Sequence, residues 1–201
     1  MSTLHIISSP SWDHSQSNIL AQRVISHLDT QTQTLDLHHS TIPYLTWASI
    51  AHSYGMIQDD QLTPDDRTIN TIRTQYISQL KEIDTLIISV PMRNFGVPAA
   101  LKSYIDLISQ PWQTFMIEWG RYIWLLTNIK HAYICVATWW IGYHGGAMAD
   151  YNHVSWYMTQ TMWFLGAHET TVFYIEGTTS DSANYQTRLD ASLAHIDAHF
   201  A

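Results

Sequence analysis

"TLIISVPMRNFGVPAALKSYIDLI", residues 85–108, is the stretch on which the fold turns. Thr85 to Val90 is a continuous β-rich run, the pattern of a strand buried on both faces. Pro91 ends the run. Pro98 then opens a helical pattern, with Leu101, Tyr104, Ile105 and Ile108 recurring on one side. A buried strand feeding an amphipathic helix is the repeating unit of a parallel sheet. Between strand and helix lie Met92, Arg93, Asn94, Phe95 and Gly96, a poor set of residues for a plain solvent-exposed connection.

The same alternation extends in both directions. Leu4 to Ser8 reads as a first strand. A helical pattern follows from Ser15, with Ile19, Leu20, Val24, Ile25 and Leu28 on one side. Thr32 to Leu37 is a weaker second strand, and residues 38–61 read as irregular. Thr63 is placed to cap a helix with Pro64 at its first position; Asp65 and Asp66 suit the positive end of its dipole. Ile69, Ile72, Tyr76 and Leu80 form its apolar stripe. Beyond the opening stretch come a strand over Ala132–Ala137, a helix over Tyr151–Leu165, a strand over Thr171–Ile175 and a closing helix over Asn184–Phe200. Five strands alternating with helices predict an α/β fold: one domain over 1–201, with a doubly wound parallel sheet and helices on both faces. The order 2-1-3-4-5 is expected, which places the ligand edge between strands one and three.

Composition narrows the partners. The formal net charge of -8 argues against nucleic acid or an anionic membrane, both of which need clustered Lys and Arg. No run of eighteen apolar residues exists, so no transmembrane helix is expected. The opening MSTLHIISS has no basic region and too short an apolar run for a signal peptide. The single cysteine, Cys135, lies in an apolar strand run and has no partner for an internal disulfide. These features together predict a reduced, cytoplasmic compartment. Seven of the nine tryptophans fall between Trp112 and Trp163. Residues of that kind serve cores, interfaces and ring-stacking pockets alike.

Three loops should leave the strand ends at the ligand edge: "SSPSWDHSQSN" (8–18), "PMRNFG" (91–96) and "TWWIGYHGG" (138–146). The first has no dinucleotide glycine fingerprint and no Walker lysine. It offers Ser9, Ser15 and Ser17, with Gln16 and Asn18, at a helix start. Free amides and the helix dipole make such an end an anion site, and hydroxyls add donors. Serines before a helix are also ordinary capping residues.

With these pieces the chain resembles the FMN-dependent NADH azoreductase and NADH:quinone oxidoreductase family, of flavodoxin-like fold. The resemblance rests on Ser9 and "SQSN" at 15–18, "LTP" at 62–64, "PMRNFGVPAALKSYID" at 91–106 with "TF" at 114–115, and "FLGAHETTVFYIEG" at 164–177. They occur in order over nearly the full chain. The resemblance implies FMN as cofactor, with Ser9, Ser15, Gln16 and Ser17 around its phosphate. It implies Pro91, Met92, Arg93, Asn94 and Phe95 along the flavin, with Thr138, Trp139 and Trp140 from the third loop. Asn94 and His144 are the candidate catalytic residues. A homodimer with the active site at its interface is implied, aromatics of 47–60 and 112–124 closing the partner's pocket. The implied reaction is ping-pong: NADH or NADPH delivers two electrons, and a quinone, azo compound or other small flat aromatic acceptor takes them.

Two departures from the family pattern stand out. The third residue of the second loop is usually Tyr or Trp, and here it is Arg93. It can hold an anionic substrate, neutralise a reduced flavin or pair with an acid across a dimer interface. The third loop usually carries Ser or Thr, a variable residue and two glycines; here Trp139, Trp140 and Ile141 follow Thr138. Glycine permits close backbone approach because it has no Cβ. The tryptophans can serve an interface, reshape a substrate pocket or obstruct the flavin. A slipped alignment would give Gly142 the glycine role. The rival reading is a divergent flavodoxin-fold protein without hydride transfer, acting as a non-redox enzyme or ligand-binding module. The twelve histidines suggest no metal site: His195 and His199 lie one turn apart with no further ligand, and no HExxH occurs.

Overall fold

The computed structural model describes residues 2–11 and 14–201; Trp12 and Asp13 of the first predicted loop lie outside them. Five parallel strands form the central sheet: β1 (Ser2–Ile7), β2 (Gln31–Asp36), β3 (Thr85–Pro91), β6 (His131–Ala137) and β7 (Glu169–Ile175). Their order is β2-β1-β3-β6-β7. The expected order 2-1-3-4-5 is broadly met. The count shifts because two hairpin strands, β4 (Phe115–Glu118) and β5 (Arg121–Trp124), intervene in the chain and form a separate antiparallel pair.

The period-2 geometry of the strands sorts the core into two layers. Leu86, Ile88 and Val90 of β3 join one cluster, and Ile87 joins the other. The first cluster is completed by α3 (Pro64–Lys81), α4 (Ala99–Ile108) and α5 (His153–Leu165), through residues such as Leu80, Tyr104 and Met158. The second is completed by α1 (Gln16–Ser26) and α6 (Tyr185–Phe200), through Leu20, Val24 and Ile196. Helices therefore cover both faces. Cys135 is fully buried in the second layer, where burial pushes its thiol pKa far up.

Two segments differ from the sequence expectation. Residues 38–61 carry α2 (Trp47–Ser53) and a short 3-10 turn, Asp59–Gln61. The Thr46 hydroxyl caps α2 by accepting from Ser49 N, and donates to Asp66 at 2.5 Å. With seven residues, α2 is too short to show a helical period. Asp66 also forms a capping box with Thr63, so one carboxylate ties the start of α2 to the start of α3. The hairpin was missed although "EWGR" separates two β-rich runs. Glu118 pairs with Arg121, leaving Trp119 and Gly120 as a two-residue turn with φ of 51° and 74°. Its strands dock on α5 through rings: Phe115 lies 4.9 Å from Phe164, and Trp124 lies 4.3 Å from Trp163.

Arg73 of α3 joins three helices from inside. It is 3% exposed. Its Nε donates to Leu107 O in the last turn of α4 at 3.0 Å, and Nη1 reaches Ser53 Oγ at 2.5 Å and Ser49 O at 3.5 Å in α2. The carbonyls near a helix end carry the negative pole, which explains a buried cation with no carboxylate paired to it among the described residues. Burial pulls its pKa down to about 10.

Candidate active site

β1 and β3 pair directly, yet their following helices cover opposite faces of the sheet, so a crevice opens beyond their carboxyl ends. The crevice holds two adjoining cavities. One, of about 180 Å³, is lined on its polar side by Ser9, Ser11, His14, Ser15 and Gln16, with Thr178 and Thr179 opposite. The other, of about 230 Å³, is lined by Met92, Asn94, Phe95, Trp140 and Tyr143. Arg93 and Trp139 line both and form the boundary. The guanidinium carbon of Arg93 lies 5.4 Å from the centroid of the Trp139 ring, a cation–π contact.

The polar end is built on the start of α1. Ser15 is its N-cap and accepts from Asn18 N. Ser17 is fully buried, with its Oγ 3.0 Å from Ser15 Oγ; it stands behind the cavity and orients the serine that lines it. The amides of Gln16 and Ser17 belong to the first turn, where N–H groups have no partner within the helix. The Gln16 carbonyl accepts from Tyr185 OH, and its amide nitrogen donates to His14 O, so its side chain is locked to α6. Together the hydroxyls and the helix start supply hydrogen-bond donors suited to an anion.

The apolar end is built on a strained turn. Arg93 and Gly96 exchange both backbone hydrogen bonds at 2.9 Å. Asn94 and Phe95 between them have φ of 47° and 70°. Positive φ at both central positions is a type I′ turn, which normally takes Asn-Gly. Asn tolerates this region; Phe carries a penalty of about 1–2 kcal/mol. The strain is balanced by contacts: the Phe95 ring lies 5.4 Å from Tyr151 and 6.4 Å from Tyr143, and Phe95 O accepts from His153 N. The turn projects from a fixed base, since Met92 N continues the sheet ladder to Ala137 O.

The third loop closes on its own backbone. A Cβ on Gly146 would come within 2.6 Å of Gly142 Cα, so the two glycines serve the loop's self-crossing. Gly142 thus permits a close approach within the loop itself. The Glu176 carboxylate accepts from Gly142 N and His144 N. Thr138 is fully buried and lines neither cavity; its hydroxyl donates to Trp140 O. Gly177 N donates to Trp140 O, and Ser180 N donates to Trp139 O. The loop is thereby fastened to the segment after β7, and both indoles are left exposed at the crevice.

The structure therefore gathers Ser9, Ser15, Gln16, Pro91, Met92, Arg93, Asn94, Phe95, Trp139 and Trp140 around one crevice. Ser17 and Thr138 stand just behind it. His144 is elsewhere: its ring stacks on Tyr174 at 4.1 Å and lines a separate cavity with Phe173 and His195. It shared a loop with the site, but the Gly142–Gly146 crossing carries it toward β7. Tyr143, Thr178 and Thr179 were not anticipated. Thr178 and Thr179 follow the last strand, so its position at the same sheet edge was the available signal. Among the described residues, no group of three or more His, Cys, Asp or Glu is placed to hold a metal. No helix among them is long and apolar enough to cross a membrane.

A family model described as flavodoxin-like fold matches residues 1–200. An FMN-dependent NADH:quinone oxidoreductase of Haemophilus influenzae is 32% identical over 172 residues, covering 85% of this chain and 82% of that protein. One of Trichormus variabilis is 30% identical over 181 residues, covering 88% and 84%. The chain belongs to the FMN-dependent NADH:quinone oxidoreductase and azoreductase family. Solved structures agree on the fold of this family member. An azoreductase of Bacillus anthracis superposes with a TM-score of 0.85 at 19% identity, covering 100% of this chain and 98% of that one. An FMN-dependent NADH-azoreductase from the same species, in complex with FMN, gives 0.82 at 18%, covering 100% of both.

Proposed function

We propose that this single flavodoxin-like domain is an FMN-dependent oxidoreductase. It takes two electrons from NADH and passes them to a quinone, azo compound or other flat acceptor, one partner leaving before the next binds. For a quinone, NADH, one proton and the quinone become NAD+ and the hydroquinone. The observation that carries the reading is the two-ended crevice: a hydroxyl-lined cavity at a helix start joins a ring-lined cavity across Arg93 and Trp139. FMN has a phosphate at one end and a flat ring at the other, so the residues present fit it. Ser9, Ser15 and the first turn of α1 would hold the phosphate. Met92, Asn94, Phe95, Trp140 and Tyr143 would enclose the ring.

Bound FMN supplies the two-electron chemistry. The chain's own residues bind, orient and exclude water. The turn at Asn94 and Phe95 is fixed by two backbone bonds, so Asn94 is presented from a rigid base and is the catalytic candidate we retain. Trp139, Trp140 and Tyr143 narrow the opening, and with them we place a preference for small quinones over bulky dyes. The relatives' activities support the oxidoreductase over the reading without hydride transfer. The test is reconstitution: apoprotein should take up FMN and gain its visible absorption, and the loaded protein should oxidise about one equivalent of NADH alone and turn over repeatedly only when a quinone is present. Absence of flavin uptake would overturn the proposal.

The phosphate site has its own test. Replacing Ser15 and Ser17 together by alanine should weaken FMN binding by about 1–3 kcal/mol, because hydrogen bonds to a charged group are lost. Riboflavin, which lacks the phosphate, should bind both forms alike. Calorimetric titration that finds equal FMN affinity in the two forms would remove Ser15 from the site.

We further propose a cytoplasmic homodimer without nucleic-acid or membrane partners. Exposed rings crowd two places: Tyr44, Trp47 and Tyr54 around α2, and Trp112, Trp119 and Tyr122 around the hairpin. Trp119 is 94% exposed at the hairpin tip, a costly place for an indole unless another surface covers it. Light scattering at micromolar concentration should give twice the chain mass of 23.1 kDa. A monomer mass would overturn this assignment.

A further inference from the structure

We infer that Arg93 selects flat acceptors that carry a carboxylate or sulfonate. The inference rests on the oxidoreductase reading and adds the acceptor's charge to it.

Arg93 is half-buried at the junction of the two cavities. Among the described residues its guanidinium meets no carboxylate and no hydrogen-bond acceptor. The other half-buried or buried arginines differ: Arg188 pairs with Asp181 and donates to three backbone carbonyls, and Arg73 donates into α2 and α4. Arg93 is also the only Lys, Arg, Asp or Glu among the described residues lining either cavity, in a chain of net charge -8. A cation with no other charged side chain beside it among the described lining residues favours a negative ligand group there.

The geometry suits an anion that presents two neighbouring oxygens. The Arg93 guanidinium carbon lies 5.4 Å from the centroid of the Trp139 ring, and the group carries five N–H donors in a fixed planar fork. A carboxylate or sulfonate can then be gripped by two parallel hydrogen bonds. With that cavity given to the cofactor, a flat body attached to the group would lie across the opening of the ring-lined cavity, beside the exposed indoles of Trp139 and Trp140. The backbone bonds between Arg93 and Gly96 fix the root of the side chain, so less order is lost on binding. The cofactor's phosphate is supplied separately by Ser9, Ser15 and the start of α1, which leaves the cation available to the acceptor.

The experiment compares 1,4-naphthoquinone with its 2-sulfonate on the FMN-loaded protein. The reading is the ratio of kcat/KM for the sulfonate to that for the neutral quinone. Arg93→Gln should lower this ratio by about tenfold or more, the loss of a charge-assisted pair, and Arg93→Lys by less. High salt should compress the ratio in the native protein and leave it nearly flat in Arg93→Gln. Calorimetric binding of the sulfonate reads the same preference without turnover. If neither quinone is reduced but sulfonate binding depends on Arg93, the oxidoreductase reading fails and this inference stands. An unchanged ratio together with unchanged sulfonate binding in Arg93→Gln overturns the inference. So does a variant that loses affinity for FMN but not riboflavin at an unchanged ratio, because Arg93 would then serve the phosphate.

Discussion

Replacing Arg73 by alanine is expected to lower the unfolding free energy by about 3–5 kcal/mol, the range for removing a buried charged group from its hydrogen-bond partners. The side chain reaches Leu107 O in α4 and both Ser49 O and Ser53 Oγ in α2. Alanine leaves those acceptors in space that water reaches poorly, and it opens a cavity between three helices. For a chain of this length the midpoint should fall by roughly 10 °C. Lysine keeps a charge but not the planar fork that serves two helices at once, so it should recover only part of the loss. Chemical denaturation compares the three proteins. An alanine variant with an unchanged midpoint would show that α2 and α4 are held together by other contacts.

Acid should weaken the fold through His5. Its imidazole is fully buried in β1, with Nε2 2.8 Å from Ser89 Oγ in β3 and Nδ1 without a hydrogen-bond partner among the described residues. Burial pushes its pKa down from 6.5 to about 4. The unfolded chain therefore binds a proton below pH 6.5 that the folded chain refuses until about pH 4. Stability from this group is intact above pH 6.5 and falls as the pH drops, by about 2 kcal/mol at pH 5. Urea titrations at pH 7.5 and pH 5 should show this slope, and His5→Leu should flatten it by that amount. A parallel slope in the leucine variant would sink the assignment. The position links acid to the site. Ser89 O accepts from both Ser8 N and Ser8 Oγ, and Ser8 immediately precedes the serine-bearing loop. Loosening the β1–β3 seam therefore loosens the floor of the hydroxyl-lined cavity.

The sheet was legible because its strands announce themselves locally. Thr85–Val90 and Ala132–Ala137 are apolar on both faces and bounded by helical periods, and the structure moves the expected strand and helix ends by only one or two residues. The residues 91–95, with Ser9 and Ser15, were placed at one edge by topology, which follows from where parallel strands end. The remainder depended on backbone geometry that residue types do not encode. Nothing in "WWIGYHGG" says that Gly142 and Gly146 cross, and that crossing separates His144 from the crevice while Tyr143 stays in it. The helix at 47–53 and the hairpin were missed for another reason. Each is held by partners distant in sequence, Asp66 for α2 and the rings of α5 for the hairpin.

The third loop is anchored by main-chain bonds and by Glu176, and neither indole contributes to that anchoring. Its base and its tip are therefore separable units. The base answers to the architecture: it must cross itself, reach β7 and end at α5. The tip, Trp139 and Trp140, answers to what enters the crevice and, at Trp139, to the Arg93 guanidinium beside it. Such a division makes the tip an exchangeable cassette, in which side chains can be swapped in pairs while folding proceeds from an unaltered frame. A lineage can then drift from one class of acceptor to another by changing two neighbouring codons. Divergence in this stretch can therefore outpace divergence in the rest of the chain.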